Sequence, residues 1–391
     1  MRVLIAFDKF KDSLTAPVAC ALAATALKTP RPDWTVDLCP LTDGGEGFAE
    51  ILTLASHGEM LRHQVTGPRG NPVVATIGMV ELENIPARAR ALLNLPSALS
   101  HQSKIALIEM ATASGLALLS QSERDPWQTT SYGTGELIVQ AISHGAEAIL
   151  LGVGGSATND LGLGALNAIG LQFENQQNSP IIPPVPASWT DIERITGQIP
   201  AAFPPLRIAC DVANPLLGPS GAAAIYGQQK GLRDNDLARL ESESERLATM
   251  LCAHHQKPTQ TMSAPGAGAA GGIAFGFMTA ANAQLLPGAE FVSAWLDLES
   301  HLAEADLVIT GEGRFDESSL NGKGPGALAM RALDLGKTVH VFAGQTSPGM
   351  SQLANLHLHA ITPRAMPLNE ALRSAAQLLT TTIDATFSHH A

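Results

Sequence analysis

The sequence predicts an α/β protein built on parallel sheets, and three observations carry that prediction. Short apolar runs alternate with polar, glycine-bearing loops and then with helical periods along most of the 391 residues, which is typical of strands joined by crossover helices. Glycine (36) and proline (25) are abundant, whereas aromatic residues make up 4% of the chain, and this suits many tight strand-to-helix turns. The length exceeds one ordinary domain, so two domains are expected.

The predicted elements follow one another in a regular order. The predicted strands are the apolar runs 2–7, 35–41, 105–111, 148–153, 207–212, 306–311 and 338–344. Helical periods over 17–27 and 48–56 follow the first two of these strands. Two segments, 84–103 and 173–205, are predicted to be surface loops because they mix proline with polar residues.

The strands near the two ends of the chain are predicted to share one sheet. We therefore expect a discontinuous, Rossmann-like α/β domain formed by 1–70 and 290–391, with a second α/β domain inserted over 71–289. The turn-rich segment 65–73 is the predicted crossover between the two domains. Such an insertion leaves a cleft between domains, where ligands commonly bind, and the active site is expected there.

Net charge, cysteine spacing and the N-terminal residues narrow the expected partners and the expected cellular setting. The formal net charge of −12 argues against nucleic acid and against an anionic membrane surface. The four cysteines lack the spacing of a zinc site or a redox pair, which favours a reduced, cytoplasmic setting. At the N-terminus, Asp8 interrupts the apolar run too early for a signal peptide.

Several familiar catalytic motifs are absent from the sequence. It contains no Walker A pattern, no protein-kinase signature and no G-x-S-x-G serine. The run "GAGAAG" (266–271) matches the G-x-G-x-x-G dinucleotide pattern, but no strand precedes it. The longer uncharged run "GAGAAGGIAFGFMTAANA" (266–283) is expected to be a closely packed helix that follows a glycine turn, rather than a membrane span, because it is built of glycine and alanine instead of leucine and isoleucine.

Polar side chains collect directly after the predicted strands, where open parallel sheets bind ligands. The candidates, loop by loop, are Asp8, Lys11 and Ser13; Asp43; Ser156, Thr158, Asn159 and Asp160; Asp211 and Asn214; Lys230; and Glu312, Asp316 and Lys323. A single residue of this kind is usually a helix cap. Several loops that combine glycine with carboxylates or lysine indicate phosphoryl transfer, because glycine loops cradle phosphates, lysines neutralise charge and carboxylates hold Mg²⁺.

The segment "LGVGGSATND" (151–160) is the most informative of these loops. An apolar strand ends there in Gly154 and Gly155, and four polar side chains follow at once. We expect the glycines and the N–H groups near Ser156 to bind an anion, with Thr158, Asn159 and Asp160 facing the same site. Both a nucleotide phosphate and a substrate carboxylate fit this description.

Long motifs also make the chain similar to a known family. In order, they are "FDKFKDSLTA", "LTDGGEGF", "VTGPRGNPV", "IEMATASGL", "TTSYGTGELI", "GVGGSATNDLGLGALNAIG", "ACDVANPLLGPSGAA", "QQKG", "PGAGAAGG" and "LVITGEGRFDESSLNGK". This series resembles type-1 glycerate kinases from residue 1 to about the last predicted strand. Asp12 stands where the family usually has glycine or another small or polar residue, and Leu161 interrupts a usual double glycine.

The resemblance implies transfer of the γ-phosphate of ATP to D-glycerate on two α/β domains, one inserted in the other. We expect a Mg²⁺-dependent kinase in which Asp211, or else Asp43, accepts the proton of the attacking hydroxyl. Lys230 and Lys323 are expected to act on the transferred charge together with Lys11, and Glu312 and Asp316 to hold the metal. The product, 2- or 3-phosphoglycerate, and the choice between monomer and homodimer stay open.

Two other functions remain compatible with the residues. One is a kinase for another small hydroxy acid, and the other is a non-catalytic, two-lobed sensor of a small anion. A sensor has no need of several carboxylates beside a phosphate-binding loop, so the kinase is favoured.

Overall fold

The computed structural model describes residues 1–42, 44–320, 324–347 and 353–388. The strands are β1 (Arg2–Phe7), β2 (Thr35–Leu38), β3 (Glu59–Thr66), β4 (Pro72–Glu81), β5 (Lys104–Glu109), β6 (Ala146–Gly152), β7 (Leu171–Glu174), β8 (Arg194–Gly197), β9 (Leu206–Ala209), β10 (Gln284–Leu286), β11 (Leu307–Gly311), β12 (Arg314–Phe315), β13 (Thr338–Ala343), β14 (Gln345–Thr346) and β15 (Leu356–Ala360). The helices are α1 (Ala16–Leu27), α2 (Phe48–Ala55), α3 (Ala87–Leu93), α4 (Met110–Ser114), α5 (Tyr132–Ser143), α6 (Leu163–Ala168), α7 (Ala222–Tyr226), α8 (Leu237–His254), α9 (Ala269–Ala281), α10 (Gly288–Trp295), α11 (Leu298–Glu304), α12 (Glu317–Leu320), α13 (Pro325–Asp334) and α14 (Leu368–Ser388).

The first compact unit consists of the two ends of the chain, Met1–Asp43 and Val292–Ala391. Its sheet has the strand order β15-β13-β11-β1-β2, and every neighbouring pair is parallel. Alternate residues of β1 are buried with the apolar faces of α1 and α14 in one core. The prediction that the terminal strands share a parallel sheet is therefore confirmed.

The second compact unit is the continuous segment Gly44–Phe291. Its sheet has the order β10-β9-β6-β5-β4-β3. The strands β3, β4 and β5 pair antiparallel, whereas β5, β6, β9 and β10 pair parallel. The carboxyl ends of these parallel strands therefore lie at one edge, as the sequence motifs require.

The structure differs from the sequence prediction in three segments. Residues 65–73, the expected crossover between domains, connect the paired antiparallel strands β3 and β4, so the boundary expected at residue 70 lies inside the second unit. The expected loop 84–103 contains α3. The expected loop 173–205 contains β8, which pairs antiparallel with β7. Both α3 and β8 are short, so their amphipathic patterns are too brief to stand out against the surrounding proline and polar residues.

The uncharged run 266–283 contains α9 after a glycine turn, as expected. The residues that match the dinucleotide pattern, 266–271, form this turn and the irregular start of α9. Within it, Ala270, Gly271 and Gly272 have positive φ. A Cβ at Gly271 would lie 1.9 Å from the backbone oxygen of Thr158, so this glycine allows two backbone segments to approach closely. No helix in the described part of the chain is both long and apolar enough to span a bilayer.

Candidate active site

In the first unit, two candidate carboxylates leave the sheet side by side. Phe7 at the end of β1 pairs with Gly311 at the end of β11. Asp8 and Glu312 directly follow these paired residues, and the Asp8 N–H donates to the Gly311 carbonyl at 3.0 Å. Both carboxylates therefore stand at the ligand-binding edge of this parallel sheet.

Two glycines, Gly313 and Gly324, lie beside the loop that carries Asp8 and Lys11. A Cβ at Gly324 would lie 3.6 Å from Oδ2 of Asp8, and a Cβ at Gly313 would lie 3.4 Å from the Lys11 nitrogen. Gly324 directly precedes α13, so this helix begins beside the Asp8 carboxylate. Lys11 itself is exposed. The arrangement brings a lysine, carboxylates and a helix N-terminus to one edge of the sheet.

Asp12 and Ser13 shape the first of these loops. Asp12 adopts a φ of +62°, which explains physically why glycine suits this position. The Ser13 hydroxyl donates to the Phe10 carbonyl at 3.0 Å and thereby closes a tight turn. Ser13, expected as a phosphate ligand, therefore has a structural hydrogen bond.

The expected metal ligands lie on the segment that follows β11. Asp316 Oδ2 is 3.1 Å from Arg314 Nε, and Glu312 directly follows the strand. Within 1–42, 44–320, 324–347 and 353–388, no three His, Cys, Asp or Glu side chains cluster as a ready metal cage. Two other candidates, Asp43 and Lys323, lie outside the described residues.

In the second unit, the glycine loop after β6 packs against another part of the chain. The Gly154 N–H donates to the Gly44 carbonyl at 3.2 Å, and a Cβ at Gly154 would lie 2.5 Å from the Gly45 Cα. The Gly154 N–H therefore already has a backbone acceptor, and anion binding by the N–H groups near Ser156 stays a prediction. Gly154 also permits a close backbone approach, and Gly155 supplies a φ of +72°.

Lys230 is buried and lies in the same loop cluster. Its Nζ donates to Ser156 Oγ at 2.9 Å, to the Thr158 carbonyl at 2.8 Å and to Asn159 Oδ1 at 3.4 Å. Burial lowers the pKa of Lys230 to about 7, while the charge of Asp160 acts in the opposite direction. The Lys230 ammonium is therefore occupied by protein acceptors, and its expected action on the transferred charge stays a prediction.

Thr158, Asn159 and Asp160 point into the protein rather than toward a ligand. All three side chains are buried. Thr158 Oγ1 and Asn159 Nδ2 have no hydrogen-bond partner among the residues that the structure describes. These side chains form the inner side of the loop, and the expectation that they face the same site as the anion stays a prediction.

Asp160 organises the start of two helices. Its Oδ2 accepts from the Ser131 N–H and hydroxyl, each at 2.7 Å, and from the Gly164 N–H at 3.3 Å, while Oδ1 accepts from the Gly162 N–H at 3.2 Å. Ser131 precedes α5, and Gly162 precedes α6. Burial raises the pKa of Asp160, and these donated hydrogen bonds oppose that shift. Asp160 is thus an internal scaffold for the loop.

Asp211 follows β9 at the carboxyl edge of the second sheet. Its two carboxylate oxygens accept from the Ala289 N–H at 3.2 and 3.0 Å, so the side chain contacts the first turn of α10. Nearby, Asn214 accepts from the Tyr226 hydroxyl at 2.9 Å and donates to the Ser220 carbonyl at 2.8 Å. Asp211 therefore has a helix-capping contact, and Asn214 a structural one.

Sequence reasoning missed two residues that hold this cluster together. Glu109, at the end of β5, is buried and accepts from the Gly47 N–H at 2.9 Å, which ties the turn before α2 to the sheet. Ser131 is the main partner of Asp160. A carboxylate at the end of the apolar run "IALIEMA" was visible in the sequence and could have pointed to Glu109.

At the level of class, the chain is an α/β protein whose polar loops gather at the carboxyl edges of parallel strands in each unit, the place where such folds bind small ligands. A crystal structure of a protein assigned as glycerate kinase 2 from Salmonella typhimurium LT2 matches it with a TM-score of 0.76 and 34% identity, over 100% of this chain and 98% of that one.

Sequence comparison identifies the family. The model of the glycerate kinase family matches residues 3–390, and the chain belongs to that family. Two similar proteins are the glycerate kinase of Bacillus subtilis (strain 168), 36% identical over 97% of this chain and 95% of its own length, and the glycerate 2-kinase of Escherichia coli (strain K12), 37% identical over 92% and 89%.

Proposed function

We propose that this protein is an ATP-dependent glycerate kinase that phosphorylates a hydroxyl group of D-glycerate and releases ADP. The observation that carries the proposal is the match of the glycerate kinase family model to residues 3–390. Loops bearing Asp8, Glu312 and Lys11 at one sheet edge, and Ser156 at another, support it, because they offer the carboxylates, cations and hydroxyl that phosphoryl transfer uses.

In the proposed reaction, a glycerate hydroxyl oxygen attacks the γ-phosphorus of ATP in line with the departing oxygen of ADP. A carboxylate takes the hydroxyl proton, and lysines stabilise the transferred charge. Asp211 is our first candidate for the base and Asp43 the second. Asp211 is the first candidate because its carboxylate stands just after β9, at the carboxyl edge of the second sheet, where it also caps the Ala289 N–H.

The donor set on the segment after β11 fits a magnesium ion. Glu312 and Asp316 supply carboxylate oxygens, which Mg²⁺ prefers, and Mg²⁺ takes only one or two protein carboxylates beside phosphate oxygens and water. Bound there, the ion would neutralise charge on the nucleotide phosphates. Lys11 and Lys323 are proposed to face the same phosphates. The four free cysteines support the cytoplasmic setting that we propose.

The decisive experiment measures ADP release by the purified protein with ATP, MgCl₂ and D-glycerate. Omission of glycerate, omission of the metal, and replacement by L-glycerate, glycolate or D-lactate serve as controls. We expect ADP release only with D-glycerate and metal together. Faster turnover of another hydroxy acid would favour the rival kinase, and binding without turnover would favour the anion sensor.

The position of the phosphate is a separate question. The Escherichia coli relative is a glycerate 2-kinase, and we propose the 2-hydroxyl as the acceptor here. Phosphorus NMR of the product distinguishes the two esters, because the phosphorus couples to one proton in 2-phosphoglycerate and to two in 3-phosphoglycerate. A product with coupling to two protons would refute this assignment.

A further inference from the structure

Lys230 has an unusual position for a lysine in a protein that handles anions. It retains 2% of its surface exposure, and its Nζ donates to Ser156 Oγ, the Thr158 carbonyl and Asn159 Oδ1. Because its ammonium group is buried and bonded to the loop after β6, Lys230 cannot contact a ligand unless that loop moves away from it. Its influence on a ligand therefore has to pass through the residues that it holds.

The direction of one hydrogen bond shows how that influence is transmitted. An ammonium group donates and cannot accept, so Ser156 Oγ is the acceptor in its contact with Lys230. The hydroxyl hydrogen of Ser156 then meets no acceptor among the residues described by the structure. Thr158 Oγ1 and Asn159 Nδ2 also have no partner among the described residues, but Thr158 is fully buried and Asn159 is 3% exposed, whereas Ser156 keeps 7% exposure at the turn after β6. The Ser156 hydroxyl is therefore the most accessible of these three groups.

We propose that Lys230 is a positioning residue: by occupying the lone pairs of Ser156 Oγ and of the Thr158 carbonyl, it directs the Ser156 hydroxyl to donate to an anionic oxygen of a substrate. This inference rests on the proposed function for the identity of the substrates. The shared chemistry is an anionic oxygen, carried by the phosphates of ATP or by the carboxylate of glycerate.

The rest of the loop supports a fixed geometry. The Thr158 carbonyl lies between Lys230 and Gly271, where a Cβ would come within 1.9 Å of it. Asp160 anchors the next turn through Ser131, Gly162 and Gly164. A donor held in place before binding costs no reorganisation when the anion arrives, which makes it more effective.

Asp160 is the carboxylate whose charge acts on Lys230. Arg124 belongs to an adjacent segment, since a Cβ at Gly231 would lie 2.2 Å from its backbone oxygen. Burial lowers the pKa of Lys230 to about 7, so a bound anion nearby would favour the charged, donor-only form.

The test compares Ser156→Ala, Lys230→Met and the double variant with the wild type, measuring KM and kcat separately for ATP and for D-glycerate. Lys104→Met is the control, because Lys104 is exposed at the start of β5, the opposite end from the loop. We expect each single change to raise the KM of the same one substrate by about 10- to 100-fold, as for loss of a hydrogen bond to a charged group, with kcat changed by less than about threefold.

The double variant provides the critical comparison. If Lys230 acts through Ser156, the KM of the double variant exceeds that of the worse single variant by no more than about twofold. Independent roles would instead make the two increases in KM multiply. Multiplied effects, or effects on different substrates, would overturn the proposal. KM values for Ser156→Ala within about twofold of wild type would also overturn the proposal. This test does not depend on Lys230→Met and can be made even if that variant does not fold.

Failure of the proposed function is distinguishable from failure of this inference. Absence of wild-type turnover refutes the kinase. The hydrogen bond is then tested by calorimetric titration of the same variants with ATP, D-glycerate and inorganic phosphate. Weaker binding of one probe by Ser156→Ala and Lys230→Met alike supports the positioning role, and equal titrations for all proteins overturn it.

Discussion

Replacement of Asp160 by asparagine tests the internal scaffold of the second unit. The carboxylate is fully buried and accepts four hydrogen bonds, three on Oδ2 and one on Oδ1. Asparagine has nearly the same shape but only one accepting oxygen. That oxygen would take the place of Oδ2, and the amide nitrogen would then face the Gly162 N–H, so two donors would oppose each other.

The expected cost follows from these contacts. The lost bond to Gly162 leaves a buried donor unpaired, which costs about 1–3 kcal/mol. The three bonds kept at the Oδ2 position change from charge-assisted to neutral, which weakens each by about 1 kcal/mol. Removal of a buried charge offsets part of the total. We expect the free energy of unfolding to fall by about 2–4 kcal/mol, with a decrease in Tm of roughly 5–15 °C.

Urea unfolding monitored by tryptophan fluorescence measures this change. Asp234→Asn is the matched control, because Asp234 is an exposed aspartate of the same unit, and its unfolding free energy should stay within about 0.5 kcal/mol of wild type. Ser131→Ala should be less costly than Asp160→Asn and should not add fully to it, since the two residues share hydrogen bonds. Wild-type stability for Asp160→Asn would refute the scaffold role.

Three further predictions concern the same unit. Asp211→Asn keeps an oxygen to cap the Ala289 N–H, so its Tm should change little. If Asp211 is the base, steady-state assays should show kcat reduced about 10²–10⁴-fold. Normal turnover would mean that the side chain is only a cap and would make Asp43 the candidate base. Raising the pH above about 7 should increase the unfolding free energy of wild type relative to Lys230→Met by up to about 1.4 kcal/mol per pH unit, because the folded Lys230 loses its proton near pH 7 whereas an unfolded lysine keeps it to about pH 10. Urea titrations of both proteins at several pH values test this, and the same pH dependence of stability in both would contradict it. Gly271→Ala should destabilise by about 3 kcal/mol or more in the same titrations, since its Cβ would overlap the Thr158 carbonyl at a φ of +73°. Gly145→Ala, at +85° with open space around it, should cost only about 1–2 kcal/mol, and equal costs for both would refute the steric argument.

The sequence alone determined the class of fold and which polar residues follow the parallel strands. Alternating apolar runs and helical periods are local properties, so β1, β6 and β11 could be recognised without knowing their neighbours. The position of a polar residue directly after a strand is likewise written in the sequence. For this reason Asp8, Asp211 and Glu312 were correctly expected at the carboxyl ends of strands.

Only the tertiary structure decided which way those polar side chains point and what they contact. Asp160 and Lys230 look in sequence like Asp8 and Lys11, yet the first two are buried with partners from segments far along the chain. The antiparallel pairing of β3 with β4 was hidden for the same reason, because it places residues 59–81 beside β5 in the second unit. Hydrogen-bond partners and burial depend on contacts between distant residues, and a local pattern carries no information about them.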